Sequence, residues 1–590
     1  MIVTRISILP VLLFCALAYG AKPAKPPAAK KPPLTPEQKQ AQSILKSLSL
    51  HDRVAQLVIG VALGDVPSRK SAEYEKFRHW VQDLHIGGMI INNAVRNGIV
   101  QNAEPHAMAL FLNQMQKLSR TPLIVAGDFE RGSSMRVSMG ARFPYNMAIA
   151  ATGDPENAKF EAEVTAREAR ALGVHWIFAP VADVNNNPAN PVINIRSFGS
   201  DPDMVAKYVD AYIEGAHGGD RGDAKNRVLV TAKHFPGHGD TDVDSHLGLP
   251  HLGVDRERLD AIELKPFKSA IAHDVDAIMT AHMAIPALEP DDIPATASAK
   301  VLTGLLREEL GFRGIVVTDA LDMAGFSSKF NSGEGSVRAL EAGADVLLMP
   351  PNPEQAIRAV VAAVANGRLT KERIDDSAMR VLTAKVRIGV IKNPIGFKKS
   401  LVDLDAISDV LDDPEVTDRV QKVSDAAVTL VKNDAAMVPL AAKSNACMIV
   451  MVGARLSQNG QRMLTEFRHR TSGTGRSVIV DPSMPLPALE VEAGDVSTCS
   501  AIVVAAFSTG APLAGDLPAF IEKLTQGSTP VVFIAMGSPY TGSGFPKVAA
   551  YMATFSATVP SETSAIKALF GEIPAAGHSP VSIPGFTNVQ

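Results

Sequence analysis

The sequence predicts an α/β chain: a (β/α)8 TIM-like barrel followed by a smaller α/β sandwich domain with a parallel sheet. Three observations predict it. Short apolar runs recur eight times before about residue 390, each ending in a polar or turn residue. Longer segments between them carry apolar residues at helical spacing. The rhythm then breaks and resumes with fewer strands.

The eight runs are "VAQLVIG" at 54, "GGMIIN" at 87, "PLIVAGD" at 122 and "HWIFAPVAD" at 175, then "VLVTAKHFPG" at 228, "AIMTAH" at 277, "GIVVTDA" at 314 and "ADVLLMP" at 344. Runs apolar on both faces suit parallel strands covered by helices. Segments such as "PENAKFEAEVTAREARALG" and "RERLDAIELKPFKSAIAHD" supply those helices. A doubly wound open sheet is the rival arrangement, and either fold collects chemistry at the carboxyl ends of its strands. Asn92, Asp128, Asp183, Lys233, His234, His282 and Asp319 stand at those ends.

The expected organisation is a signal peptide over 1–20, a Pro/Lys-rich linker over 21–38, the barrel over 39–392, a linker over 393–418 and the second domain over 419–590. The N-terminal 34 residues hold five basic side chains and no acid, around an apolar stretch too short to span a bilayer comfortably. Secretion or a periplasmic location is therefore expected, with possible attraction of the basic linker to an anionic envelope. Cys15 follows bulky Leu and Phe, which disfavours a lipoprotein site. Cys447 and Cys499 are expected to be buried free thiols, with pairing as the alternative. In the second domain, "CMIVMVGA", "SVIVDP", "AIVVAAFST" and "PVVFIAMGSPY" are the strand candidates. "SGTGRS" and "GSPYTGSG" lack the spacing of phosphate loops and read as turns.

The chain is 590 residues long, with 46% hydrophobic and 20% charged residues and a formal net charge of −4. An acidic body excludes nucleic acid as the expected partner, since phosphate contacts need clustered Lys and Arg. Three cysteines exclude a disulfide scaffold.

The densest polar run is "KHFPGHGDTDVDSHLGLP", residues 233–250, and its Pro and Gly make it a loop. As a calcium loop it fails, because Ser245 replaces the required Gly and His251 the bidentate Glu. His234, His238 and His246 would be zinc ligands, but Pro and Gly split the His-x-x-x-His pair. The third reading is acid–base catalysis, with Asp244 two residues before His246. A carboxylate on one imidazole nitrogen sets the tautomer and frees the other to exchange a proton.

That loop resembles the signature of the β-N-acetylglucosaminidase branch of glycoside hydrolase family three. "GDFERGSSMR", "FAPVADVNNNPANPVINIRSFGSDP" and "GIVVTDALDM" resemble further segments of that family in the right order. "AVTLVKND" and "GEIPAAGHSPVSIPG" are similar to the start and end of its second domain. The resemblance implies an exported retaining exo-β-N-acetylglucosaminidase acting on peptidoglycan fragments or chitooligosaccharides, with no metal and no cofactor. It implies Asp319 as nucleophile, His246 as acid/base oriented by Asp244, and Asp128, Arg136, Arg196, Lys233 and His234 as holders of sugar hydroxyls. The residues also admit plainer roles: Asp319 as a helix N-cap, Arg196 as a partner of Asp201, Lys233 and His234 as partners of barrel carboxylates. A phosphorylase, a related β-glucosidase or xylosidase, and a non-catalytic sugar-binding protein are the alternative functions. One departure stands out. The family's Glu-Gly-Gly is here Glu130-Arg131-Gly132, and a lost Gly threatens a turn that needs positive φ.

Overall fold

In the computed structural model the described residues are 33–586, apart from 65, 97–98, 219–225, 393–398, 454–457, 472–474, 511–512 and 514. The expected signal peptide, most of the linker after it and Cys15 lie outside them. The expected linker ends earlier than residue 38. A helix, Pro36–Ser47, begins inside it, because Thr35 and Gln38 form a reciprocal capping box around Pro at the first helical position.

All eight runs become strands of one parallel sheet. They are β1 (Val58–Leu63), β2 (Gly88–Asn92), β3 (Ile124–Gly127), β4 (Trp176–Ile177), β5 (Leu229–Phe235), β6 (Ala277–Thr280), β7 (Ile315–Thr318) and β8 (Leu347–Leu348). β1 starts later than its apolar run, since Val54 and Ala55 close a helix capped by Ser49. Neighbours pair in sequence order, and β8 pairs with β1 through Val58↔Leu347. Between β7 and β8 the ring closes by a Val317↔Val346 bridge and the Thr318 amide donating to Val346 O at 3.0 Å. The closed ring excludes the open doubly wound sheet.

All seven residues of β5 are buried. Inside the barrel the Trp176 indole donates to Thr231 Oγ1 at 2.7 Å, so even the buried polar atoms there are satisfied. The amino ends of the strands hold paired charge. Asp276, before β6, accepts from His217 at 2.8 Å and from the Val230 amide, and pairs with Arg227 and Arg387. Asp345, before β8, gathers Arg307, Arg373 and Arg380. Fully buried carboxylates stay ionised only with such partners, which marks this end as the stabilising one.

After the last barrel helix, Lys371–Arg387, short helical pieces at Ile407–Leu411 and Pro414–Ala427 lead to a second sheet. Its strands are β9 (Thr429–Asn433), β10 (Cys447–Met451), β11 (Ser477–Val480), β12 (Ile502–Ser508), β13 (Val531–Gly537) and β14 (Ala550–Ala553), in the order β9-β14-β13-β12-β10-β11. Five are parallel; β9 joins the edge antiparallel to β14. Separate apolar clusters cover its two faces, as a sandwich with helices on both sides requires. "GSPYTGSG" is a turn, with a 3-10 segment at Pro539–Gly542. One cluster includes Met147, Ala148, Ala151 and Ile195 of the barrel, so the two domains share a core.

The cysteines correct the expectation of free thiols. Cys447 opens β10 and Cys499 precedes the adjacent β12, which brings their Cα atoms to 5.7 Å and joins them in a disulfide. Closing a loop across a sequence separation of 52 is worth about 4 kcal/mol in the chain-entropy account. Cys447→Ser is expected to lower the unfolding midpoint, and a non-reducing digest of the native protein should yield the linked peptide pair. Two free peptides would refute the bond.

Candidate active site

The polar residues singled out from the sequence collect at the carboxyl ends of β2 to β7. Asp128 follows β3, Lys233 and His234 end β5, and Arg196 sits in a 3-10 turn, Asn194–Arg196, after β4. Lys233 Nζ lies 2.8 Å from Asp128 Oδ1 and 2.6 Å from Glu130 Oε1. Arg196 grips the same Glu130 with two hydrogen bonds, at 2.8 and 2.9 Å. Arg136 donates to Asp128 at 3.3 Å and to Asn93 Oδ1. Two acids and three bases thus interlock in a single array.

Electrostatics keep that array charged. Burial would raise the Glu130 carboxyl, but Arg196 and then Lys233 hold it well below its ordinary value. Burial likewise opposes ionisation of Asp128, where the Lys233 and Arg136 charges prevail. It also opposes the Lys233 ammonium, which Asp128 and Glu130 nonetheless raise. Charged, partly exposed donors and acceptors in fixed positions are what neutral hydroxyls need for orientation. The plainer roles are therefore partly real: Lys233 does pair with barrel carboxylates. Arg196 pairs with Glu130, whereas Asp201 caps the next helix through the amides of Asp203 and Met204.

His234 is held by Asp183, which accepts its Nδ1–H at 2.8 Å and its amide at 3.0 Å. Asp183 also accepts the His238 amide at 2.7 Å, so one buried carboxylate shapes the end of β5 and the start of the loop. His238 bonds Thr241 through Nδ1, and burial pushes its imidazole down to about 4. His246 faces solvent on the far side of the same loop. With all three ring Nδ1 atoms spent on different partners, His234, His238 and His246 do not form a common ligand set among the described residues.

His246 Nδ1 lies 2.8 Å from Asp244 Oδ1, and the same oxygen accepts the His246 amide. Burial opposes the charge on Asp244, yet these two hydrogen bonds keep its carboxyl below the usual value. A carboxylate only accepts, so Nδ1 carries the proton and Nε2 is left for proton transfer. Asp319 follows β7, half-buried, with Oδ1 accepting the Ala320 amide at 2.7 Å. It does not cap the following helix, Ala324–Ser327, whose cap position is Met323. His282 anchors this segment: its Nε2 bonds Ala320 O at 3.0 Å, its Nδ1 bonds Thr296 at 2.8 Å, and its ring stacks on Phe326. The loop that bears His246 meets the segment after Asp319 where the Ser245 carbonyl accepts the Gly325 amide at 3.0 Å, so both residues stand at the same mouth.

Sequence reasoning passed over Glu130 and Asn93. Glu130 was legible as a second acid two residues beyond Asp128. Asn92 was chosen instead of Asn93, but its Oδ1 turns back to the Asn93 amide. The Arg131 departure leaves the positive-φ position intact: Gly132 holds the left-handed φ of 84°, and a Cβ there would lie 2.8 Å from Ala141 O. The Arg131 guanidinium sits 5.1 Å from the Tyr145 ring centre, a cation–π contact.

A barrel with a charge-paired polyol cradle, an oriented imidazole and a carboxylate at its mouth has the equipment of a glycosidase. Residues 49–384 match the glycosyl hydrolase family 3 N terminal domain. The chain is 28% identical over 539 residues to the beta-N-acetylglucosaminidase/beta-glucosidase of Cellulomonas fimi, covering 87% of this chain and 91% of that protein. It is 34% identical over 361 residues to beta-hexosaminidase A of Pseudoalteromonas piscicida, covering 57% of this chain and 58% of that one. The solved structure of a glycoside hydrolase family 3 beta-N-acetylglucosaminidase from Paenibacillus sp. str. FPU-7 superposes with a TM-score of 0.78 at 32% identity, over 92% of this chain and 100% of that one. The chain belongs to glycoside hydrolase family 3 and is a glycoside hydrolase.

The loop that carries Glu130 and Arg136 is held from behind by Glu168, which accepts from Ser133 and from the Ala141 amide at 3.1 Å. Burial pushes its carboxyl up to about 7 from 4.5. The folded state therefore binds more protons than the unfolded one between those values, and stability falls as pH rises through that window, by about 3 kcal/mol in all. Glu168→Gln is expected to flatten this slope. Urea midpoints at pH 5 and pH 8 check it, and an unchanged slope would remove Glu168 as its source.

Proposed function

We propose that this enzyme is an exported, retaining exo-β-N-acetylglucosaminidase that removes terminal β-linked N-acetylglucosamine. The observation that carries the reading is the imidazole of His246, oriented by Asp244 on a loop at the same mouth as Asp319. The activities named for the Cellulomonas and Paenibacillus relatives support the amino-sugar specificity.

In this mechanism, Asp319 attacks the anomeric carbon while His246 Nε2–H protonates the leaving oxygen. The bond to the leaving sugar breaks and a glycosyl ester on Asp319 forms. The now neutral imidazole takes a proton from an incoming water, whose oxygen displaces Asp319 and restores the original anomeric configuration. Asp128, Arg136, Arg196, Lys233 and His234 hold the sugar hydroxyls, so that binding energy is spent on orientation. Peptidoglycan fragments are the preferred substrate class, with chitooligosaccharides second, because the basic, proline-rich N-terminal segment suits a tether at an anionic envelope. The Cys447–Cys499 disulfide supports an oxidising compartment.

General acid help is worth about 10²–10⁴-fold, or about 3–5 kcal/mol. His246→Ala is expected to lose that factor in kcat/KM on chitobiose yet keep most of kcat/KM on a 4-nitrophenyl glycoside, whose leaving group needs no proton. Equal losses on both would remove His246 as the acid. Asp319→Ala is expected to abolish glycosyl-enzyme formation, read by intact mass after a slow-turnover substrate; an unchanged adduct would overturn its role. Products from purified muropeptides, run in phosphate and in a non-anionic buffer, distinguish cell-wall hydrolysis from phosphorolysis, where a sugar 1-phosphate would appear.

A further inference from the structure

The loop that bears His246 is joined to the segment that bears Asp319 by a backbone-to-backbone hydrogen bond. Asp244 O accepts from the amides of Leu247 and Gly248, folding residues 244–248 into a turn. That turn buries Ser245, between Asp244 and His246, to 2% exposure while His246 remains exposed. The Ser245 carbonyl accepts from the Gly325 amide at 3.0 Å. Gly325 lies six residues beyond Asp319, in the turn that His282 clamps through Ala320 O and the Phe326 ring. A Cβ on Gly325 would meet Gly248 O at 2.8 Å, Ser245 O at 2.9 Å and His282 O at 3.1 Å. These are three backbone oxygens, two from the loop and one from the segment after β6, and none can swing aside as a side chain would.

We propose that Gly325 is a positioning residue for catalysis: its bare Cα and its amide form a latch that seats the Asp244–His246 turn and fixes the imidazole relative to Asp319. The inference rests on His246 acting as acid/base, and it adds the element that decides where that imidazole stands. With any side chain at 325 the turn is displaced outward, while His282 Nε2 still holds the segment after Asp319 through Ala320 O. The carboxylate then still attacks, but the proton arrives from the wrong place.

The test is Gly325→Ala assayed beside His246→Ala. Gly325→Ala is expected to cut kcat/KM on chitobiose by about 10²-fold or more while changing kcat/KM on the 4-nitrophenyl glycoside by less than about 3-fold, the selectivity of a lost general acid in the glycosylation step. Its pH profile on chitobiose should lose the limb that the wild-type acid produces. Gly253→Ala, where a Cβ meets nothing within 4 Å, is expected to behave as wild type. Equal losses on the two substrates, or full activity on chitobiose, would overturn the latch. Should Gly325→Ala fail to fold, hydrogen exchange on the wild-type enzyme decides: a protected Gly325 amide supports the contact, and exchange at the free-peptide rate overturns it. If His246→Ala itself shows no dependence on the leaving group, the acid/base reading falls. If His246→Ala shows that dependence and Gly325→Ala does not, the latch falls alone.

Discussion

The sharing of Lys233 between Asp128 and Glu130 is the constraint on which the mouth of this barrel depends. A buried ammonium between two buried carboxylates is tolerable only when every charge has partners, and here Arg196 and Arg136 complete the balance. The array ties the ends of β3, β4 and β5 together through side chains where the backbone ladder stops. It also leaves Asp128, Arg136 and Arg196 partly open to solvent. Removing one member strands the others, so the charges of this array depend on one another.

The second domain braces the same region from outside. Asn185 donates to Tyr540 Oη at 3.0 Å, the Ser200 amide donates to Pro580 O at 3.1 Å, and Gly510 packs against Pro191 O. All three contacts fall on the loop after β4, which carries Arg196. Asn190 of that loop in turn donates to His238 O and Gly239 O, at the start of the segment that leads to His246. A chain of fixed contacts therefore runs from the second sheet, through the Arg196 loop, to the root of the loop that bears His246. The disulfide stiffens the sheet at the far end of that chain, where β10 and β12 begin.

The two ends of the barrel handle charge differently. At the amino ends, Asp276 and Asp345 are fully enclosed and saturated with arginine and histidine partners. At the carboxyl ends, Asp319 and His246 keep open faces and few bonds. Saturation stabilises and openness allows chemistry, and the fold places one at each end of the same strands.

The barrel's strand count, its parallel pairing and its strand-end residues were legible in the sequence, because burial on both faces imposes continuous apolar runs; in the second sheet only four of the six strands were, and β9 and β14 were missed. The Asp244–His246 pair was legible too, since a turn joins residues two apart without help from the rest of the chain. Glu130 was written beside Asp128 but gained its meaning only from Lys233 and Arg196, about 100 and 66 positions away. The disulfide, the antiparallel edge strand β9, the place of Gly132 beside Arg131 and the Gly325 contact were decided by tertiary structure alone. Local pattern reports what a residue buries or exposes; which distant partner meets it follows from the order of strands and the path of loops, and those exist only once the barrel has closed.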